Sequence, residues 1–161
     1  MGQIVTISQL PQKLQDIKPT GQSIVLVGGC FDIIHAGHVE FLKKAKALGG
    51  TLIVMLESDE KVRILKGKSR PINLQLDRAY LLAHLQPVDI VIPLPNFTQD
   101  EEYFELVVNT IKPDIIALTK GDPVIRFAKN QAKEVGAKIV EVIERKKGYS
   151  TGKILEKIGR E

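Results

Sequence analysis

Short apolar runs alternate with longer amphipathic segments along almost the whole chain. Five of these runs have the length of buried strands, at residues 24–27, 51–56, 88–92, 115–118 and 138–142. The segments between them repeat apolar residues at helical spacing, which predicts helices at 8–17, 39–48, 74–85, 99–111, 124–135 and 153–158. Strands that alternate with helices pair in parallel through right-handed crossovers. The alternation therefore predicts an α/β fold with a five-stranded parallel sheet and helices on both faces.

No linker, repeat or low-complexity tract divides the chain, and its 161 residues suit one domain. We expect a lead-in helix within residues 1–22 and a single Rossmann-like domain over residues 23–161. Asn73 is expected to cap the helix that runs to about residue 85. The buried face of that helix is predicted to consist of Leu76, Ala79, Tyr80 and Ala83.

The composition is ordinary for a water-soluble protein, with 43% apolar and 26% charged residues. No apolar run approaches the roughly 18 residues of a membrane span, so no membrane partner is expected. The single cysteine excludes an intrachain disulfide and indicates a cytoplasmic protein. The net charge of +4 is mild and spread along the chain. It favours a basic pocket for a polyanionic small molecule, and no nucleic-acid partner is expected.

The most informative stretch is GGCFDIIHAGH at residues 28–38, between the first predicted strand and the next helix. A helix N-terminus offers unpaired N–H groups and the positive end of the helix dipole, which suit a phosphate. Glycine also lets the backbone approach a bulky anion closely. His35 and His38 lie three residues apart on the first turn, so both can face one side and donate hydrogen bonds to the same phosphate. We interpret this turn as a phosphate site.

Other phosphate-binding patterns do not fit. No G-x-G-x-x-G follows a predicted strand. The string GYSTGK at residues 148–153 has too short a loop for a P-loop, and Ile154 stands where Ser or Thr is needed. We interpret His84, on an amphipathic helix, as structural, and Cys30 as a small residue beside the tight turn.

Two more segments are expected at the carboxyl edge of the sheet, where α/β proteins bind ligands. The turn that contains Asp122 follows the fourth predicted strand. The basic segment at residues 61–70 follows the second predicted strand, and it could be either solvated surface or a mobile loop that grips phosphate.

The motifs resemble those of the cytidylyltransferase-like nucleotidyltransferase family, whose HxGH element is similar to that of class I aminoacyl-tRNA synthetase cores. The resemblance runs from about residue 24 to residue 158. It is carried by Gly29-Cys30-Phe31-Asp32, by His35-Ala36-Gly37-His38, and by Tyr149-Ser150-Thr151 before the last helix. Together with Leu65-Lys66-Gly67, these phrases are most similar to the branch that adenylylates heptose 1-phosphate for lipopolysaccharide synthesis.

The resemblance implies transfer of a nucleotidyl group from an NTP to a phosphorylated small-molecule acceptor, with release of pyrophosphate. His35 and His38 would be catalytic, Mg²⁺ would accompany the NTP with no metal ligand assigned in the chain, and the protein would be a homodimer. The nucleotide and its phosphates would be bound by Gly29, Cys30, Phe31, Asp32, Gly37, Lys46, Arg78, Asp122, Arg145, Tyr149, Ser150 and Thr151.

Two alternatives stay open at this point. Arg145 resembles an arginine of the glycerol-phosphate branch, which would make the chain a cytidylyltransferase that uses CTP and glycerol 3-phosphate or a similar alcohol phosphate. The chain could also be a binding module that senses a nucleotide without turning it over. The intact pair His35 and His38 argues against a sensor, and the longer matched phrases favour ATP.

Overall fold

A parallel β-sheet forms the centre of the protein, in a computed structural model that describes residues 1–97, 100–144 and 150–159. The strands in these ranges are β1 (Gln3–Ile4), β2 (Ile24–Gly29), β3 (Thr51–Leu56), β4 (Ile90–Pro93), β5 (Ile115–Thr119) and β6 (Lys138–Ile143). They lie in the order β1-β4-β3-β2-β5-β6, and every neighbouring pair is parallel. The predicted α/β class is confirmed.

The prediction of five strands is wrong, because the sheet has a sixth strand at its edge. β1 pairs with β4 through Gln3 and Ile4, whose side chains are both exposed. Two exposed residues are too few to give a periodic pattern of apolar side chains, so the sequence did not reveal this strand. The lead-in segment therefore contributes a strand to the sheet as well as a helix.

The helices cover both faces of the sheet. They are α1 (Leu10–Ile17), α2 (Ala36–Lys46), α3 (Asp59–Lys66), α4 (Gln75–Ala83), α5 (Asp100–Tyr103), α6 (Asn109–Ile111), α7 (Ile125–Val135) and α8 (Thr151–Ile158). A π-helical segment, Phe104–Val108, joins α5 to α6, so the helix predicted there is irregular. Its predicted start at Gln99 lies outside the described residues.

Two hydrophobic clusters, one on each face, explain why the strands read as continuous apolar runs. Ile24 and Leu26 of β2 belong to one cluster, and Val25 and Val27 belong to the other. Successive side chains of a strand point to opposite faces, so a strand covered on both faces must be apolar at every position.

The structure corrects two predictions about α4. Asn73 does not cap this helix, because its side-chain Nδ2 donates to the Asp32 carbonyl oxygen at 2.7 Å and Leu74 precedes the first turn. The predicted buried face is also partly wrong, since Leu76 is 75% exposed and Tyr80 is 61% exposed. The buried residues of the helix are Arg78, Ala79, Leu82 and Ala83.

The sheet order places a crevice beside β2. β3 and β4 extend the sheet on one side of this strand, and β5 and β6 extend it on the other. Connections that leave the carboxyl ends of β2 and β5 therefore run in different directions, and ligands of open α/β sheets bind at such a point. The loop from β2 to α2 carries the two histidines to this crevice.

Candidate active site

His35 and His38 form a stacked pair at the N-terminus of α2. His35 is the cap of this helix, and its Nδ1 accepts a hydrogen bond from the backbone N–H of His38 at 3.3 Å. The two imidazole rings lie 3.7 Å apart between centroids, with an angle of 16° between their planes. One face of the first turn thus carries both rings, next to the unpaired N–H groups of the helix end.

Both imidazoles favour their uncharged form. Burial lowers the pKa of His38 to about 4, and the neighbouring His35 contributes to the shift. Burial also lowers the pKa of His35. A neutral imidazole still has one N–H donor, so at neutral pH the pair can donate hydrogen bonds to an anion.

The turn before the histidines requires a glycine. A Cβ at position 29 would lie 2.9 Å from the Phe31 ring, which is closer than side-chain carbons approach one another. Phe31 itself has a φ of 44°, in the left-handed region that non-glycine residues rarely adopt. Its ring then packs against His38, with centroids 5.1 Å apart. Gly29 therefore allows the fold-back that supports the His38 imidazole.

The two histidines line a cavity of about 1030 Å³ at the carboxyl edge of the sheet. This volume suits a nucleotide together with a second small molecule. The structure brings ten of the predicted site residues to its wall: Gly29, Cys30, Phe31, Asp32, His35, Gly37, His38, Asp122, Ser150 and Thr151. Arg145 and Tyr149 lie outside the described residues.

α8 reaches the cavity with its N-terminus. Ser150 caps this helix, and its Oγ accepts a hydrogen bond from the backbone N–H of Lys153 at 3.2 Å. Thr151 and Lys153 line the cavity beside it. This side of the cavity therefore combines a helix N-terminus with hydroxyl groups and a lysine, all of which suit phosphate oxygens.

Asp32 contributes to the cavity wall while its carboxylate is engaged within the protein. It is 2% exposed and accepts hydrogen bonds from the backbone N–H groups of Ile72 at 2.8 Å and Asn73 at 3.0 Å. It also forms an ion pair with Arg70. Burial alone would raise the pKa of Asp32, but these hydrogen bonds outweigh burial and lower it. Asp32 stays ionised and fixes the segment that leads into α4.

Arg78 is fully buried behind the cavity, and the structure does not bring it to the wall. Its guanidinium donates to the carbonyl oxygens of Cys30, Asn73 and Glu57 and to the Asp59 carboxylate. These groups come from three separate segments: the loop after β2, the loop after β3 with the first residue of α3, and the loop before α4. The geometry makes Arg78 a support of the site, in place of the direct phosphate contact predicted from the resemblance.

Lys46 lies at the opposite edge of the sheet, and its predicted phosphate contact is corrected accordingly. Its Nζ contacts the Asp89 carboxylate and the Gly50 carbonyl oxygen, which precede β4 and β3. The same Asp89 carboxylate accepts from the Leu52 backbone N–H at 2.7 Å. Lys46 is the last residue of α2, so the length of that helix separates it from the histidines.

The sequence-based list missed several cavity residues. Phe97, Tyr103 and Phe127 form an aromatic wall, with adjacent ring centroids 5.9 and 6.2 Å apart. Burial raises the pKa of the Tyr103 hydroxyl, which donates to the Met55 sulfur at 3.0 Å. These aromatics come from three different segments, so no local motif could reveal them.

The basic segment at residues 61–70 also contributes to the cavity. Residues 61–66 of this segment belong to the helix α3, so the segment is not a loop throughout, as one of its two interpretations had it. Lys61, Lys66 and Arg70 line the wall. The sequence signal for this group was the density of Lys and Arg after the second predicted strand.

Within the described residues, no group of three or more His, Cys, Asp and Glu side chains is placed to hold a metal ion. In the same part of the chain, no helix has the length and apolar character to span a membrane.

The chain belongs to the cytidylyltransferase-like family, whose pattern it matches over residues 26–157. It is 45% identical over 147 residues to the bifunctional protein HldE of a Nitratiruptor species, a match that covers 89% of this chain and 29% of that protein. It is 42% identical over 154 residues to HldE of Helicobacter pylori, covering 96% of this chain and 31% of that protein. The chain thus spans less than a third of the length of these relatives.

Two solved structures share the fold. A lipopolysaccharide core biosynthesis protein from Thermoplasma volcanium is 29% identical, with a TM-score of 0.62, covering 81% of this chain and 100% of that one. A pantoate-beta-alanine ligase from Francisella tularensis, solved with β,γ-ATP and beta-alanine, is 17% identical with a TM-score of 0.63, covering 92% of this chain and 69% of that one. The second likeness concerns the fold alone.

Proposed function

We propose that this protein transfers the adenylyl group of ATP to heptose 1-phosphate and releases pyrophosphate. The observation that carries the proposal is the stacked pair His35 and His38 at a helix N-terminus, facing a cavity large enough for both substrates. The family match, the similarity to HldE proteins and the likeness to a lipopolysaccharide core biosynthesis protein support the choice of substrates.

In the proposed reaction, a phosphate oxygen of the acceptor attacks the α-phosphorus of ATP. A new P–O bond forms, the bond from the α-phosphorus to the bridging oxygen breaks, and pyrophosphate leaves with the electron pair. The attacking oxygen is already anionic, so the site needs no strong general base. Catalysis then rests on positioning the two substrates and on stabilising charge on the transferred phosphate.

His35 and His38 would supply this stabilisation through their N–H groups. Because burial lowers the pKa of both imidazoles, each ring is uncharged at neutral pH in the free protein and keeps one N–H donor. A negative phosphate raises the pKa of a neighbouring imidazole, so hydrogen bonding strengthens as charge develops. The N-terminus of α8, with Ser150, Thr151 and Lys153, would hold the leaving pyrophosphate. Mg²⁺ would enter as part of the substrate, bound to the ATP phosphates.

A pyrophosphate-release assay tests this function. ATP and CTP are each combined with heptose 1-phosphate and with glycerol 3-phosphate, in the presence of Mg²⁺. We expect release above background only with ATP and heptose 1-phosphate. Release with CTP and glycerol 3-phosphate would assign the chain to the alcohol-phosphate branch, and nucleotide binding without release in all four mixtures would indicate a binding module.

We also propose that the protein acts as a homodimer in the cytoplasm, on small molecules and not on nucleic acid. The family resemblance supports the dimer. The single cysteine and the mild, dispersed positive charge support the other two statements.

A further inference from the structure

Arg70 is buried and nevertheless lines the cavity. Its side chain is 10% exposed, and its Nε donates to the carboxylate of Asp32, whose own side chain is 1% exposed. Within the described residues, this is the one hydrogen bond found for the Arg70 guanidinium. One edge of the guanidinium is therefore fixed, while its two terminal Nη groups remain for a ligand.

Asp32 is itself held rigidly, so it can orient Arg70. Backbone N–H groups of Ile72 and Asn73 donate to the carboxylate oxygen that Arg70 does not use. An arginine whose direction is set in this way loses little side-chain entropy when it binds a phosphate through its fork of two N–H groups.

The charge around Arg70 suits a phosphate. Lys61 and Lys66 line the same cavity on the α3 side, and Glu57 and Asp32 are the carboxylates there. Asp32 is neutralised by its ion pair and two backbone N–H groups. The two lysines then outnumber the one remaining carboxylate, so this wall favours an anion.

The sheet order indicates which anion binds on this side. The histidine turn follows β2; α3 and Arg70 follow β3 on one side of it, and α8 follows β6 on the other. In an in-line transfer, the attacking and leaving oxygens lie on opposite sides of the phosphorus. If the pyrophosphate leaves toward α8, the acceptor must approach from the α3 side.

We propose that Arg70 binds the phosphate of the acceptor and that Asp32 is its positioning residue. This inference rests on the proposed function, because it assigns the acceptor end of the same cavity. Lys61 and Lys66 would assist as point charges, whereas Arg70 would set the direction of the phosphate through its planar fork.

Kinetics of the Arg70→Met, Arg70→Lys and Asp32→Asn variants test the proposal. We expect KM for heptose 1-phosphate to rise by about 10- to 100-fold in Arg70→Met, as for the loss of charge-assisted hydrogen bonds. KM for ATP should change by less than about twofold. Arg70→Lys and Asp32→Asn should show the same selective rise to a smaller degree, since each keeps the positive charge but loses its orientation.

Two variants serve as matched controls. Arg63→Met removes an exposed arginine of α3, which pairs with Glu60 and does not line the cavity. Asp89→Asn removes a carboxylate that also binds a cation and a backbone N–H, but at the opposite edge of the sheet. Neither should change KM for heptose 1-phosphate. A rise in KM for ATP alone, or no selective change in any Arg70 or Asp32 variant, would overturn the proposal.

A binding measurement separates this inference from the proposed function. If the wild type releases no pyrophosphate, binding of inorganic phosphate is followed by ³¹P NMR in the wild type and in Arg70→Lys, and circular dichroism confirms that both are folded. Phosphate binding that weakens in Arg70→Lys would support the anion site although the proposed reaction had failed. Equal binding in both proteins, or no binding to the wild type, would overturn it.

Discussion

The low pKa of His38 makes a specific prediction about stability and pH. The pKa falls from an ordinary value of 6.5 to about 4 on folding, because burial penalises the charged ring. The unfolded chain therefore binds more protons at this residue than the folded protein between these two pH values. Its contribution to stability is present above pH 6.5 and is lost as the pH falls toward 4.

From this shift, the contribution of His38 to the free energy of unfolding should decrease by about 2 kcal/mol between pH 7 and pH 4.5. This decrease is measured by urea unfolding of the wild type and of His38→Gln at both pH values. Glutamine has no titrating group, so the variant should lose about 2 kcal/mol less on acidification than the wild type. Other acid-sensitive groups, such as Asp32, contribute to both proteins and cancel in the comparison.

His84→Gln is the matched control, since His84 is exposed on the surface at the end of α4. This variant should follow the wild type at both pH values. If His38→Gln loses as much stability as the wild type on acidification, then His38 is not held uncharged by burial, and the description of the pair as neutral donors fails.

Three further outcomes are expected. Thermal stabilisation by MgATP should exceed that by MgCTP, because a ligand that binds only the native state raises Tm; a shift with MgCTP alone would reverse the nucleotide assignment. Arg78→Met should lower the free energy of unfolding by about 3 kcal/mol or more, since it leaves the Asp59 carboxylate and three carbonyl groups without their buried partner; urea unfolding with an unchanged midpoint would contradict this. Light scattering at micromolar concentration should give the mass of a dimer, and the mass of a monomer would refute the proposed assembly.

Local patterns predicted much of the fold. The strands β2, β3 and β5 read as apolar runs because both faces of the sheet are covered there. The end of α7 at Gly136, which has a φ of 76°, follows from the need for a left-handed residue there. β1 could not be predicted, because a two-residue edge strand depends on its partner β4 and not on its own side chains.

In the candidate site, too, a local motif predicted some positions, whereas others depend on contacts between distant segments. The turn from Gly29 to His38 is contiguous, so one motif supplies most of the predicted site residues that line the cavity. A motif does not predict the partners of a long side chain, as Lys46 and Arg78 show. Both are basic residues near the matched phrases. Lys46 nevertheless pairs with Asp89 at the far edge of the sheet, and Arg78 is fully buried. Which carbonyl or carboxylate a long side chain meets depends on packing between distant segments, and single-sequence patterns do not report it.

The most direct test of the proposed catalytic pair combines turnover and binding in His35→Ala and His38→Ala. Single-turnover rates are measured with ATP and heptose 1-phosphate, and the Kd for ATP is measured by titration. Loss of one preorganised donor to the transferred phosphate should lower the rate by roughly 100-fold while Kd changes by only a few-fold. Rates near those of the wild type in both variants would contradict the assignment of the stacked histidines as the catalytic pair.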